Sequence, residues 1–491
     1  MPSAPEPPAP AVPMRRLLLV LVPAMLLNIT AADMVALVLP RISEQFTAST
    51  AQVAWVVTGF LLMFAVGVPF YGRVADRFSL RRLFTVVLAV FAVGSLISAL
   101  APSLPVLVFG RIVMGIGGAA VPVLAIVAVM RLLPGDKAAV GVGFVSAAAG
   151  VGTAAGPAMG GIVGEFLGWP ALFWIMTAGA LILIPAVRRA IAEEPPGDPG
   201  PFDLAGGVLL GLAAGLLLFG VTESEGAGFG RPSSWGPLLG GAVLAGLFAW
   251  RNRVAAHPFV PPSLFGNRAY VAAVLTVFLA MVVNLATLVL VPVLIIDVNG
   301  LTPGQGSLVM IPGGIALALL APLAGRIGAR GRHATGVLLA GLTVMGLSTL
   351  FLSTVAAGAS HVLVGLAVLG LDAGFAFVIT LTTGAVSGVL PPRHVGAGVG
   401  VFQGAQFLGA GAGPALFGAL LTARESGGGD AVNPLYASDA PAYSDVFLAL
   451  TLIVVLAAIP ALKLRTAWTT RTTTPARQPT GPASRSTPTS H

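Results

Sequence analysis

Three ionisable side chains interrupt stretches that are otherwise apolar: Asp33 in LLNITAADMVALVL, Arg111 in PVLVFGRIVMGIGG and Asp372 in VLGLDAGFAFV. A charge near the centre of a bilayer costs about 2.5 to 3.5 kcal/mol on insertion scales, so each position marks a site that binds a proton, an ion or a charged ligand, or that pairs with another charge. Asp33 and Arg111 suit the last two roles together. An arginine that approaches a carboxylate and then leaves it changes its affinity for a proton, which couples protonation to conformation. Asp372 has no basic neighbour in sequence; it would bind a proton or a cation, or stay protonated and bond to a neighbouring helix. Asn28, Asn284, Gln403 and Gln406 are neutral polar residues at similar depth, suited to hydrogen bonds between helices or to lining a cavity.

The elements that hold these groups follow from composition. Of 491 residues, 56% are hydrophobic and 9% charged, with a mean hydropathy of +0.95. Soluble domains carry roughly 25% charged residues, and no single core could absorb so apolar a chain. An all-α polytopic membrane protein is expected. Apolar runs of about 20 residues predict spans near 17–39, 52–72, 83–101, 105–130, 138–164, 169–187, 204–221, 236–251, 269–296, 306–325, 335–357, 361–390, 395–421 and 444–462. Fourteen spans put both chain ends on one side. Of the 26 Lys and Arg, 22 fall in loops on that side, three (Arg41, Arg231 and Arg424) on the other, and Arg111 within a span. The positive-inside rule makes the termini cytoplasmic, in the cytoplasmic (inner) membrane. The net charge of +8 therefore records orientation and gives no case for nucleic acid. On this reading Asp33 lies six residues before the end of the first span and Arg111 six residues after the start of the fourth, each about 9 Å below the far surface.

The chain repeats itself. PFYGRVADR (69–77) matches PLAGRIGAR (322–330), GPAMG (156–160) matches GPALFG (413–418), and MLLN (25–28) matches MVVN (281–284), at offsets of 253 to 257. Paired halves of this kind build many transporters. The division expected is a disordered tail at 1–13, a six-helix bundle at 14–187, linkers and an inserted helix pair at 188–268, a second bundle at 269–462 and a disordered cytoplasmic tail at 463–491.

Two motifs then carry a resemblance. GRVADRFSLRR, between the second and third spans, holds Gly72, Asp76, Arg77, Arg81 and Arg82, a carboxylate among arginines at a helix end. Such a group can hold two helices together in one conformation and release them in another. Gly143, Gly152, Gly156, Pro157, Gly160 and Gly161 occupy the fifth span, where small residues allow close helix approach and proline permits a bend. The chain resembles the major facilitator superfamily, specifically its fourteen-helix drug:proton antiporters, over about residues 14–462. The resemblance implies a gating loop at 72–82, an antiporter motif in the fifth span, a role in the central cavity for Asp33, Arg111 and Asp372, and no cofactor, the proton motive force being the energy source. Departures are also legible. Ser79 stands where the family has glycine, Met114 where it has glutamine, and Ala329 replaces the aspartate in the second half, leaving that latch degenerate. The family's first-span aspartate would fall at Ala31, two residues from Asp33.

No phosphate loop, nucleophile with base, or metal cluster is evident at membrane depth, so an intramembrane enzyme is not expected. The implied function is a proton-coupled efflux antiporter for drug-like or antibiotic small molecules, amphipathic or cationic, working by alternating access, in contact with lipid and monomeric. A dedicated exporter of one endogenous metabolite, or a non-transporting membrane sensor of the same fold, remains an alternative reading.

Overall fold

The structure, a computed structural model, describes residues 13–35, 38–193, 203–227, 231–300, 303–330, 333–355, 358, 360–391, 394–436 and 438–464. Among these residues the chain forms seventeen α-helices and no strand. The first half contains α1 (Met14–Asp33), the short α2 (Leu39–Phe46), α3 (Thr50–Ala75), α4 (Leu80–Ala99), α5 (Leu104–Gly118), α6 (Ala120–Leu132), α7 (Gly135–Phe166) and α8 (Trp169–Ala190). A hairpin of α9 (Leu204–Ala227) and α10 (Pro232–Val254) and the short α11 (Pro262–Gly266) lead to the second half. That half contains α12 (Arg268–Asp297), α13 (Pro303–Arg330), α14 (Ala334–Val355), α15 (His361–Val389), α16 (Val395–Gly427) and α17 (Pro441–Leu462).

Thirteen helices among the described residues are long and apolar enough to cross a membrane, with α5 and α6 together making one pass. The eighth span read from the sequence is α10, a 23-residue helix that falls outside those thirteen and carries Arg251 and Arg253 in its last turn. The architecture is two six-helix bundles with an inserted helix pair. We call the side at which α1 begins and α17 ends the terminal face, and the other the far face.

Two passes depart from the sequence reading. The first span was expected to run to residue 39, but α1 stops at Asp33, and the chain resumes as α2 at Leu39 with Pro40 in its first turn. Proline lacks the N–H a helix interior needs and disfavours helical geometry just before it. Asp33 is thus the last residue of its helix and does not lie six residues inside it. The fourth pass breaks at Ala119, where Pro122 cannot donate to the carbonyl of Gly118. Between the pieces, the pass is the most enclosed part of the molecule, and Val121 to Val129 are all buried.

Polar contacts fix the far face of the first bundle. Arg41 of α2 donates to the carbonyl of Gly164 on α7, and Trp169 Nε1 donates to Gln45 Oε1 at 2.7 Å. Two further ion pairs close hairpins. Asp203 accepts from Gly206 N at the start of α9 (3.0 Å) and from Arg251 Nε of α10 (2.8 Å). Asp445 of α17 accepts from Arg424 Nε of α16 at 2.7 Å.

Candidate functional site

The gating loop expected at 72–82 forms a joint between the bundles. Asp76 caps α3 at the terminal face, and its two carboxylate oxygens accept from the backbone N–H groups of Gly396 (2.7 Å) and Ala397 (2.8 Å) in the first turn of α16. These donors have no partner within their own helix, and the positive end of the helix dipole favours the carboxylate. Gly72 makes the approach possible: a Cβ there would lie 2.5 Å from the carbonyl oxygen of Gly396 and from the Cα of Gly400.

The arginines divide differently from the sequence reading. The cation paired with Asp76 is Arg131, in the last turn of α6, which also donates to the carbonyl of Ala75 at 2.8 Å. Arg82 Nε instead donates to Glu193 at 2.7 Å, and Arg81 lies 3.8 Å from the same carboxylate. That contact ties the loop to the segment leaving α8. Arg77 follows Asp76, with its backbone N–H bonded to the carbonyl of Val74. Arg131 was visible in the sequence only as a topogenic charge. Its signal was position: it ends the pass that contains Arg111, at the face where α3 also ends.

A second joint lies between α7 and α13. A Cβ on Gly143 would come 2.5 Å from the carbonyl oxygen of Ala321, and one on Gly325 equally near that of Ala139. Ala329, at the repeat position of Asp76, has no carboxylate to offer, and the contacts described at this seam are the close glycine approaches of α7 and α13. The remaining motif glycines have another task. Gly152, Gly156 and Gly160 face Ile29, Asp33 and Met34 of α1 in the same bundle. Pro157 lies within α7, and both it and Gly161 are half-buried. Gly143 approaches the other bundle, whereas Gly152, Gly156 and Gly160 approach α1 within their own.

Inside the membrane, of the two relations open to Asp33 and Arg111, a direct pair or the influence of one charge on the other, the direct pair is not formed. No ion pair joins them; they interact only through their charges. Arg111 is 0% exposed. Its Nε donates to the carbonyl of Val56 (2.8 Å) and its Nη1 to that of Ala31 (2.9 Å), while the guanidinium lies 4.3 Å from the centroid of the Phe60 ring. Its Nη1 also lies 3.7 Å from the sulfur of Met114. A planar cation can be held by carbonyls and a ring face together, which explains why burial does not require a carboxylate partner. Asp33 stands half-buried at the end of α1, beside Gly156.

In the second bundle, Asp372 of α15 accepts from Asn284 Nδ2 of α12 at 2.7 Å, and both are buried. Gly313 of α13 closes over the carboxylate, since a Cβ there would lie 2.3 Å from Oδ2. Asn28, the repeat counterpart of Asn284, does not make the interhelical bond expected of it. It faces Gly118, which has no side chain, and neither of its amide atoms has a hydrogen-bond partner among the described residues. Arg111 Nη2 is likewise buried and unpartnered there. Gln403 and Gln406 are buried on α16 and bond to none of Asp33, Arg111 or Asp372.

Two repeated bundles, joined at one face by a carboxylate on a helix end and holding ionisable groups at depth, define a membrane transporter of the secondary type. The chain matches the Major Facilitator Superfamily over residues 21–414 and 273–488 and belongs to that family, whose members are transporters and not enzymes. It is similar to the multidrug resistance protein Stp of Mycobacterium tuberculosis (strain CDC 1551 / Oshkosh), at 30% identity over 400 residues, 80% of this chain and 73% of that one. It is also similar to the tetracenomycin C resistance and export protein of Streptomyces glaucescens, at 29% identity over 406 residues and the same two coverages. The fold matches the human organic anion transporter MFSD10 (TETRAN) with a TM-score of 0.65 at 16% identity, over 91% of this chain and 99% of that one.

Proposed function

We propose that this protein is a proton-driven exporter of drug-like or antibiotic small molecules in the cytoplasmic membrane, with both termini in the cytoplasm. The observation that carries the reading is Asp372, a buried carboxylate whose hydrogen-bond partner is the neutral amide of Asn284. An acid enclosed in this way is neutralised by a proton or by a cationic ligand, and exchange between the two is antiport. Asp33 offers a second exchangeable position in the other bundle, set against the fixed charge of Arg111. The unpartnered atoms of Asn28 and Arg111 are polar groups that a substrate or water would satisfy. The names of the relatives support export of toxic compounds as the physiological direction.

The joints support alternating access. Asp76 and α16 meet at the terminal face, as do Gly143 with α13 and Gly325 with α7, whereas on the far side the glycines of α7 serve α1. This is the arrangement of a transporter shut toward the cytoplasm. The driving force suffices: one proton crossing ~100 mV yields about 2.3 kcal/mol and one pH unit about 1.4 kcal/mol, enough for a roughly 500-fold gradient at one-to-one coupling.

The test is accumulation of a fluorescent cationic dye in cells with and without the protein, repeated with a protonophore and with Asp33→Asn and Asp372→Asn. Export should cease when the gradient is collapsed, and Asp372→Asn should abolish uphill export. Unchanged export after collapse refutes proton coupling; unchanged export by both variants refutes the choice of acids.

A further inference from the structure

The inserted hairpin sits where the two bundles meet. Gly396, Gly400, Gly404, Phe407 and Gly411 recur every three or four residues and share one face of α16. The first four meet α3 in order. Gly396 and Gly400 touch Gly72; a Cβ on Gly404 would lie 3.1 Å from Pro69; and the Phe407 ring lies 5.0 Å from that of Phe64. One turn further on, α3 has left. The Phe60 side chain turns inward beneath Arg111, and the partner of Gly411 is Leu218 of α9, whose Cδ1 lies 1.9 Å from where a Cβ would be.

α9 packs against both α3 and α16, and the close approaches differ between the two. Against α3 it has two notches, Gly211 and Gly215, each admitting Val66 so closely that a Cβ would lie 2.9 Å from it, and a ring contact of 5.7 Å between Phe219 and Trp55. Toward α16 it offers the Leu218 knob. The other close approaches of the hairpin, Gly220 to Leu238 and Gly241 to Leu217, bind α9 to α10.

We propose that α9 is a wedge carried by the N-terminal bundle, with Leu218 seated in the Gly411 notch only while the terminal face is shut. Building on the alternating-access reading above, the seat is lost when the terminal ends part and the far ends of α3 and α16 draw together. In the shut state the wedge keeps lipid out of the widening α3–α16 seam. Among the described residues the hairpin packs against the α3–α16 seam and not the α7–α13 seam, so the two lateral seams are not equivalent.

The chain contains no cysteine, which makes the test direct. Leu218 Cγ lies 3.4 Å from the Cβ position at 411, which places a Leu218→Cys, Gly411→Cys pair near the ~3.5–4.5 Å Cβ separation of a disulfide. This pair should cross-link in the otherwise unaltered protein, cross-link severalfold less after Asp76→Ala, and lose transport until reduced. A Val66→Cys, Gly215→Cys pair should cross-link equally in both backgrounds and leave transport intact. Spin labels at Lys137→Cys and Arg330→Cys report the terminal opening independently, and Leu218→Ala should lengthen that distance. If Asp76→Ala opens the terminal face yet the 218–411 yield stays the same, or if the cross-linked protein still transports, the wedge is refuted while alternating access stands. If the labels do not respond to Asp76→Ala, it is the assignment of Asp76 as the latch that fails, and the wedge is then refuted or upheld by whether the 218–411 cross-link blocks transport.

Discussion

Removing the Asp76 carboxylate tests how much of the conformational balance rests on one joint. Its bonds fall into two classes. The ion pair to Arg131 lies within one bundle and survives rocking, so it contributes equally to both states. The two bonds to Gly396 and Ala397, at 2.7 and 2.8 Å, cross between bundles and exist only when the terminal face is shut. A hydrogen bond to a charged group contributes about 1.5–3 kcal/mol, and loss of a helix cap costs about 0.5–2 kcal/mol. Because water satisfies the freed groups once the joint opens, the differential for Asp76→Ala is about 2–3 kcal/mol, a roughly 30- to 150-fold shift toward the open terminal face. Asp76→Asn retains one acceptor and should shift the balance less. Spin labels at 137 and 330, on the facing terminal ends of α7 and α13, turn this into a distance distribution. The unaltered protein should show a dominant short component, Asp76→Ala a dominant long one, and Asp76→Asn a mixture. If Asp76→Ala keeps the short component while remaining folded, packing at the second seam holds the face shut and the assignment of the latch is wrong.

Three further outcomes follow from the packing and the charges. Gly160→Ala places a Cβ 2.0 Å from the carbonyl oxygen of Met34, so α1 and α7 must separate; a loss of about 1–3 kcal/mol should appear as a lower melting temperature, while Gly246→Ala, with nothing within 4 Å, should show no such loss. Arg111→Lys replaces a planar group that bonds two carbonyls and stacks on Phe60 with a point charge, and should lower both thermal stability and transport; full retention of both would show that charge alone is needed. The Glu193 carboxyl is held below the ordinary glutamate range, chiefly by the hydrogen bond and charge of Arg82. A depressed value means that the tie is present above pH ~4 and is lost only in stronger acid, so transport profiles of Glu193→Gln and the unaltered protein should superimpose between pH ~5 and 8; displacement by a pH unit would contradict this.

The sequence was most informative where a residue type is expensive. Thirteen of the fourteen expected passes are long apolar helices, legible because a bilayer demands such runs, and Asp33, Arg111 and Asp372 stood out because charge at depth is costly. What it concealed was pairing. Asp33 and Arg111 look like partners by depth, yet Arg111 directs its Nε and Nη1 to the carbonyls of Val56 and Ala31, and a carbonyl acceptor leaves no mark on residue type. The Asp76 latch was legible as a motif, but the groups that donate to it are backbone N–H groups at the start of α16, and its arginine comes from the end of α6, 55 residues away. The end of α1 at Asp33 was hidden for a related reason: Met34 and Val35 are as apolar as the helix before them, and the signal lay in Pro40, beyond them.

The repeat makes these differences between the halves meaningful. Duplication offers each functional position twice, and here the two copies have diverged in opposite directions. Asn284 has gained an acid across from it, whereas Asn28 faces Gly118. The terminal joint shows the reverse, with Asp76 in the first half and Ala329 at the matching position in the second. A symmetric pair of carboxylate latches would hold the terminal face shut about twice as strongly, by the same arithmetic some 4–6 kcal/mol, which a single proton worth about 3.7 kcal/mol under a normal gradient would not reliably release. On the proton-driven reading proposed above, confining the charged latch to one seam keeps its strength within what one proton can overcome. The second seam, closed by glycine contacts between α7 and α13, adds surface fit without a carboxylate and helix-end bond to break.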